Sequence, residues 1–308
     1  MKLAIISSLV LDSIQDATGN VSESLGGPAS YCGLTARRFN FDVTLVTKIG
    51  NDFPQQYKQL LLAESIDIRE PELSQNCPTT KFRIILSKSE RVNSRSLQLS
   101  SKGAPLTIRD LENINTEFML ISPVLDEVPY DVLRAAITSG RKNGFVMIDP
   151  QGYTRGVDGA GLILPVDKLS LDLSGATAIK TDQVELRLLT NGLTGVQAMQ
   201  HLKDHQGIDF VISTDYSRIH LVCNRIHYWV DFEENHYPDS TGVGDILSSA
   251  FCCSYIREKD PLWALSFGIG AVRAALETRK MGLNKVPSRS FIEQNASYYY
   301  NVVTFQSL

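Results

Sequence analysis

Apolar runs of strand-like composition alternate with stretches of helical periodicity along most of this chain, and that rhythm confines the fold more than any other feature. Strands are predicted at 2–10, 43–48, 118–121, 144–149, 176–180 and 209–213. Gly26–Gly33 runs into a predicted helix that ends at about Arg38, and further helices are predicted at 54–64, 129–143, 183–189, 195–205 and 260–278, with Asp260 and Pro261 as cap and first residue of the last. Strands alternating with helices imply right-handed βαβ units and a mainly parallel sheet with helices on both faces. Ligands then bind beyond the carboxyl ends of the strands. The Gly26-Gly27 turn, residues 149–151, Asp182 with Glu185, and residues 238–247 all follow strand-like runs, so they are expected to meet at one edge. Two excursions, 11–25 and 79–101, break the rhythm and suit a small antiparallel sheet. Residues 16–20 are the expected tip of the first, 87–94 the turn of the second, and 218–230 a further hairpin near Asn224.

The stretch Pro238-Asp239-Ser240-Thr241-Gly242-Val243-Gly244-Asp245-Ile246-Leu247 carries the strongest chemical signal. It is a Gly-bearing turn that opens an apolar helix, with Ile246, Ala250, Cys253 and Ile256 at helical spacing. Such a start presents unpaired N–H groups and the positive end of the helix dipole to an anion, and Asp245 in the first turn could take a proton beside it. The same residues also suit a plain capped helix, with Asp239 or Thr241 as N-cap. Local features leave both readings open.

Composition narrows the partners. A formal net charge of −4 over 308 residues argues against nucleic-acid binding. No apolar run is long enough to span a bilayer, and the first residues run straight into a strand without a secretory cleavage pattern, so a cytoplasmic protein is expected. Five irregularly spaced cysteines (Cys32, Cys77, Cys223, Cys252, Cys253) fit free thiols rather than disulfides or a zinc site. His201 and His205 stand one turn apart without a third ligand, which suits a solvated helix face. No Gly-x-x-x-x-Gly-Lys-Ser/Thr occurs, so any phosphate site is not a standard P-loop.

Four motifs in order resemble the ribokinase family of carbohydrate kinases, also called phosphofructokinase-B-like. Asp239-Ser240-Thr241-Gly242-Val243-Gly244-Asp245 is similar to its Asp-Thr-x-Gly-Ala-Gly-Asp signature. Gly26-Gly27 opens a helix after a strand and hairpin, Val46-Thr47-Lys48-Ile49-Gly50-Asn51-Asp52 resembles its Val-Gly-x-Asp strand end, and Asp182-Gln183-Val184-Glu185 resembles its Asn-x-x-Glu segment. The resemblance runs from residue 2 to about 290. It implies a Rossmann-type three-layer α/β sandwich, one ribokinase-like kinase domain over 1–308, with the excursions 11–25 and 79–101 as a β lid.

The resemblance further implies an ATP-dependent kinase that phosphorylates a hydroxyl of a small sugar or polyol, most like the inositol and sugar kinase subgroup. Asp245 is then the base, and the backbone N–H groups of Gly242, Val243 and Gly244 are the anion hole. Asp12, Gly26 and Gly27 then face the acceptor. Lys180, Ser213, Thr241, Gly242, Gly244 and Gly270 face the nucleotide, and Asp182 and Glu185 hold magnesium through water. A monovalent cation is also implied, without a position. Apart from the resemblance, Tyr31 suits a polyol contact or plain packing, Arg83 and Arg155 suit an acceptor or phosphate contact or the surface, and Gln151, after Asp149-Pro150 at a strand's carboxyl end, suits the substrate cleft. The departures are Tyr31 where many sugar-specific members have Asn, Asp182 in the Asn place, and a 213–218 turn without glycine. A nucleoside kinase, with Phe82, Tyr31 and Phe53 as a slot for the base, is the alternative acceptor class; a non-catalytic binding protein on the same fold is the rival of a different kind. The short lid segment leans toward a monomer, with a small homo-oligomer as the other option.

Overall fold

A computed structural model describes residues 1–16, 18–69, 77–86, 95–140, 144–232, 237 and 239–308. The expected 87–94 turn, Ala17, Pro238 and the end of the 129–143 helix lie outside the described residues. The chain opens with β1 (Lys2–Ile6), β2 (Val10–Gln15), β3 (Val21–Gly26), α1 (Pro28–Arg38), β4 (Asp42–Val46), α2 (Gln55–Ala63) and β5 (Ile66–Arg69). Then follow β6 (Lys81–Leu86), β7 (Arg95–Ser101), β8 (Phe118–Ile121), α3 (Tyr130–Gly140), β9 (Phe145–Ile148), β10 (Arg155–Val157) and β11 (Ile163–Pro165). The remainder is β12 (Ala178–Asp182), α4 (Gln183–Leu189), α5 (Gly195–Gln206), β13 (Phe210–Thr214), β14 (Arg218–Cys223), β15 (Ile226–Asp231), α6 (Val243–Glu258), α7 (Pro261–Glu277), α8 (Arg289–Val302) and β16 (Thr304–Ser307).

The main sheet has the order β16-β15-β14-β13-β12-β9-β8-β1-β4-β5. It is parallel from β5 to β13 and antiparallel from β13 to β16. Successive side chains of β1 point to opposite faces and seed two cores. Leu3 and Ile5 pack with residues of α1, α6, α7 and α8, whereas Ala4 and Ile6 pack with residues of α3, α4 and α5. Helix α6 is buried well beyond its predicted stripe. Leu247, Ser248, Ser249, Phe251 and Cys252 are enclosed along with Ile246, Ala250, Cys253 and Ile256, which suits a helix covered on more than one side. Asp260 accepts from the N–H groups of Leu262 and Trp263, as its place before Pro261 predicts. All five cysteines are free.

Chain order turns around β1, which has β4 on one side and β8 on the other. A crevice therefore opens beyond the carboxyl ends of β1 and β8, and the site forms there. The two excursions build a second sheet, β3-β2-β6-β7. This sheet is mixed rather than antiparallel, because β2 pairs parallel with β6. Strands β5, β10, β11 and β16 were not expected; each has only three or four residues, too few for a periodic signal.

Candidate active site

Four separate segments converge on one small cavity of about 70 Å³, lined in part by Asp12, Tyr31, Gln151, Arg155, Thr241, Gly242 and Asp245. The apolar part of its lining comes from Val10, Phe82, Ile84, Leu97 and Val124. Asp12 faces inward because β2 alternates, burying Val10, Asp12 and Ile14. Its carboxylate rests on Gly26, where any side chain would have to take its place. Gly27 caps α1, and a side chain there would strike the Ser8 carbonyl and Val10.

Asp245 lies in the first turn of α6, where it is 8% exposed. Gln151 Nε2 donates to its Oδ1 at 3.1 Å. The direction of that amide is set from behind, since Arg155 donates to Gln151 Oε1 at 2.7 Å and a guanidinium has no acceptor to offer. Arg155 also donates to the Val124 carbonyl. Burial pushes the Asp245 carboxyl up to about 7, the Asp149 carboxylate adds to the rise, and Lys180, Arg155 and the Gln151 hydrogen bond oppose it. That places a carboxylate where a proton acceptor near neutral pH is wanted.

The helix start is not capped by a side chain. Gly242 is the N-cap, at φ +78°, and neither Asp239 nor Thr241 serves that role. Asp239 instead accepts from the N–H groups of Thr241 and Gly282 and pairs with Lys285 at 2.6 Å. Gly242 lies against the Tyr31 ring, which a side chain at 242 would meet at about 2.5 Å. The Val243 N–H turns to the Ser240 carbonyl at 3.4 Å. Gly244 and Asp245 follow in the first turn of α6, where N–H groups have no partner within the helix itself.

Lys180 reaches this first turn from β12. Its ammonium pairs with Asp149 at 3.1 Å and lies about 3.0 Å from where a side chain on Gly244 would begin. Burial alone would lower its pKa; the charges of Asp149, Glu185 and Asp245 outweigh it and hold the pKa above the ordinary lysine value. Asp182 and Glu185 form a capping box at the start of α4. Asp182 Oδ1 accepts from Val184 and Glu185, and Glu185 Oε2 accepts from the Asp182 N–H. Burial raises the Glu185 pKa, with Lys180 opposing and Asp149 and Asp182 adding to the rise. The cap uses one oxygen of each carboxylate, and the other oxygens suit a hydrated magnesium ion better than a directly ligated one. Among the described residues no cluster of three acids or histidines forms a closed metal cage.

Three predicted site residues lie elsewhere. Arg83 points away from the cavity, exposed and donating to Gln15, because on β6 its neighbours Phe82 and Ile84 take the inward positions. Gly270 faces α8, where a side chain would strike the backbone at Ile292 and Ala296, so it serves helix packing rather than a nucleotide. Phe53 joins the core beside Tyr57 and does not line the cavity. Ser213 is fully buried and accepts from Gln183 Nε2. Arg83→Ala is accordingly expected to leave the acceptor KM within about twofold of wild type; a tenfold rise in steady-state assays would return Arg83 to the site.

Arg155, a sequence candidate for an acceptor or phosphate contact, lines the cavity. Asp149 and Lys285 stand beside the first turn of α6 and its loop, although sequence reasoning gave neither a role. Lys285 has no signal in the sequence, since the oxygens it meets lie more than forty residues earlier.

Residues 3–288 match the model of the pfkB family of carbohydrate kinases. The chain belongs to that family. As a pfkB carbohydrate kinase it transfers a phosphoryl group to a sugar-type hydroxyl. No curated protein sequence matches it significantly. Among solved structures it is similar to a pyrophosphate-dependent kinase of the ribokinase family complexed with a pyrophosphate analog and myo-inositol, with 20% identity over 94% of this chain and 99% of that one, TM-score 0.78. A ribokinase from Thermotoga maritima matches with 19% identity over 96% and 99%, TM-score 0.73. A fructokinase from Vibrio cholerae, bound to fructose, ADP and potassium, matches with 18% identity over 96% and 98%, TM-score 0.73. At these identities the likeness establishes the shared fold. Among the described residues no helix is long and apolar enough to cross a membrane.

Proposed function

We propose that this pfkB kinase phosphorylates a hydroxyl of a small polyol of the inositol or monosaccharide class, with ATP as donor and Asp245 as base. The observation that carries the reading is the buried Asp245 carboxylate, aimed at the cavity by Gln151 and set beside the first-turn N–H groups of α6. An acceptor hydroxyl beside Asp245 gives up its proton to the carboxylate as its oxygen attacks the terminal phosphorus of ATP, and the bond from that phosphorus to the bridging oxygen breaks so that ADP leaves with its electron pair. The N–H groups of Gly244 and Asp245 hold the transferring phosphoryl oxygens, and Lys180 supplies positive charge beneath them. Asp182 and Glu185 would hold magnesium through water, and the ion neutralises phosphate charge when bound. The sheet β3-β2-β6-β7 acts as a lid on the single kinase domain and keeps water from competing with the acceptor.

A polyol is favoured over a nucleoside because the cavity is small and Phe53 is absent from it, while Asp12, Gln151, Arg155 and Asp245 offer polar groups from several directions. The apolar wall of Val10, Phe82 and Ile84 suits the C–H face of a sugar or cyclitol ring. A second reading concerns the donor alone. Similar folds include pyrophosphate-dependent kinases, and Gly270 packs on α8 instead of facing a nucleotide, so pyrophosphate is the alternative donor. The test incubates the protein and magnesium with ATP or pyrophosphate across inositols, pentoses, hexoses and nucleosides, and reads phosphorylated acceptor by mass. A phosphorylated cyclitol or monosaccharide is expected. A nucleoside monophosphate as sole product would replace the acceptor class, and no product from any acceptor would sink the kinase reading.

A further inference from the structure

The loop that leads into α6 is drawn around a buried positive charge. The main-chain carbonyls of Asp239 and Thr241 turn to one point, and Lys285 Nζ sits there, donating to them at 2.9 and 2.8 Å. Asp239 Oδ2 meets the same ammonium at 2.6 Å. The Tyr31 ring lies on another side, its centre 6.0 Å away. Lys285 is completely buried and Asp239 nearly so. Two carbonyls, a carboxylate and an aromatic face at these separations form the surroundings that a bare monovalent cation requires when it leaves water.

The ammonium arrives on a tether. Lys285 ends the short turn Gly282–Lys285 after α7, and the Gly282 N–H donates to the same Asp239 carboxylate at 2.9 Å. Burial works to raise the Asp239 pKa, but the Lys285 charge and the hydrogen bonds from Lys285, Gly282 and Thr241 outweigh it, so the carboxyl stays below the usual range. Without a cation at this point, a carboxylate and two carbonyl dipoles would face one another inside the protein. They would push apart the segment that sets Gly242, and with it the direction of the Gly244 and Asp245 N–H groups.

A monovalent cation is implied by the ribokinase resemblance, and the fructokinase of similar fold is described with potassium. This oxygen cluster has no room for one, because the lysine fills it. We propose that Lys285 is a built-in monovalent cation, so that the anion-hole loop is organised without potassium, sodium or ammonium from solution. The proposal rests on the kinase reading for its effect on turnover; its structural content does not.

The test compares solutions whose small monovalent cation is replaced by tetramethylammonium with solutions of equal ionic strength containing potassium, rubidium or ammonium. Wild-type turnover is expected to differ by less than about twofold between them, and crystals soaked in rubidium should show no anomalous scatterer between Asp239 and Thr241. In Lys285→Ala, turnover without small cations should fall about a hundredfold and recover about tenfold or more with potassium or ammonium, with rubidium in the vacated place. Stimulation of the wild type beyond about twofold, or rubidium bound there beside intact Lys285, overturns the proposal. So does a folded Lys285→Ala that keeps wild-type turnover without small cations, or that none of them rescues. If the variant does not fold, the wild-type arms decide. A wild type that phosphorylates nothing removes the kinase reading, and the rubidium soak still decides what occupies the loop.

Discussion

Asp245→Asn is expected to lower turnover by about 10²- to 10⁴-fold while the protein stays folded and still binds donor. The substitution keeps shape and keeps an oxygen for Gln151 Nε2 to donate to. It removes one of the carboxylates facing Lys180 and relieves the repulsion from Asp149, so the melting temperature should hold or rise. The loss therefore isolates proton acceptance. The pH profile supplies a second readout. Asp245 must be ionised to act as base, and its carboxyl is raised to about 7. The wild-type kcat/KM should climb with pH through that value and level off above it, since the free enzyme's base controls this limb. In Asp245→Asn the limb should vanish from the residual rate. Near-normal turnover in the variant, or an unchanged limb, removes Asp245 from the role of base.

The sequence made the layered architecture legible because it has a period. Strand runs such as 118–121 and 145–148 are apolar throughout and are separated by a helical stretch, and both sides of β1 are buried as a central parallel strand requires. The small second sheet was legible as an interruption of that rhythm, but the pairing of β2 with β6 was not, since strand direction depends on where two distant excursions leave the main sheet. Asp12 and Asp245 were found through the family resemblance, Gln151 through its place at a strand's carboxyl end and Tyr31 as a departure from the family pattern, and each does line the cavity. Arg83 misled because charge alone suggests a phosphate or sugar contact. The alternation of β6 settles its face, and it could have been counted from Phe82 and Ile84. Gly270 misled for the opposite reason: a glycine in a buried helix serves a ligand or a neighbouring helix equally well until the neighbour is known. Lys285 was invisible because a buried lysine has the same letter as a surface one, and its partners come from a loop remote in sequence.

Gly242→Ala is expected to damage both the fold's stability and its activity, far more than Gly244→Ala two residues on. Gly242 holds φ +78°, which an L-residue adopts only under strain, and a methyl group there would enter the Tyr31 ring at about 2.5 Å. Tyr31 has little freedom to retreat, since it is buried in α1 and packs within the core. Backbone strain and overpacking together should cost about 2–5 kcal/mol, seen as a lowered melting temperature. The retreat open to the chain is to shift the loop, which moves the Gly244 and Asp245 N–H groups off the transferring phosphoryl group. Loss of one such donor costs about 10²- to 10³-fold in turnover, so at least that much is expected. At Gly244 the added methyl would meet only the end of the flexible Lys180 side chain, at 3.0 Å, within a regular helix that favours alanine. Gly244→Ala should therefore melt close to wild type, and any lost turnover should report displacement of the Lys180 ammonium rather than a broken turn. Equal melting temperatures for the two variants would show that the left-handed turn at Gly242 and its contact with Tyr31 do not govern how α6 begins.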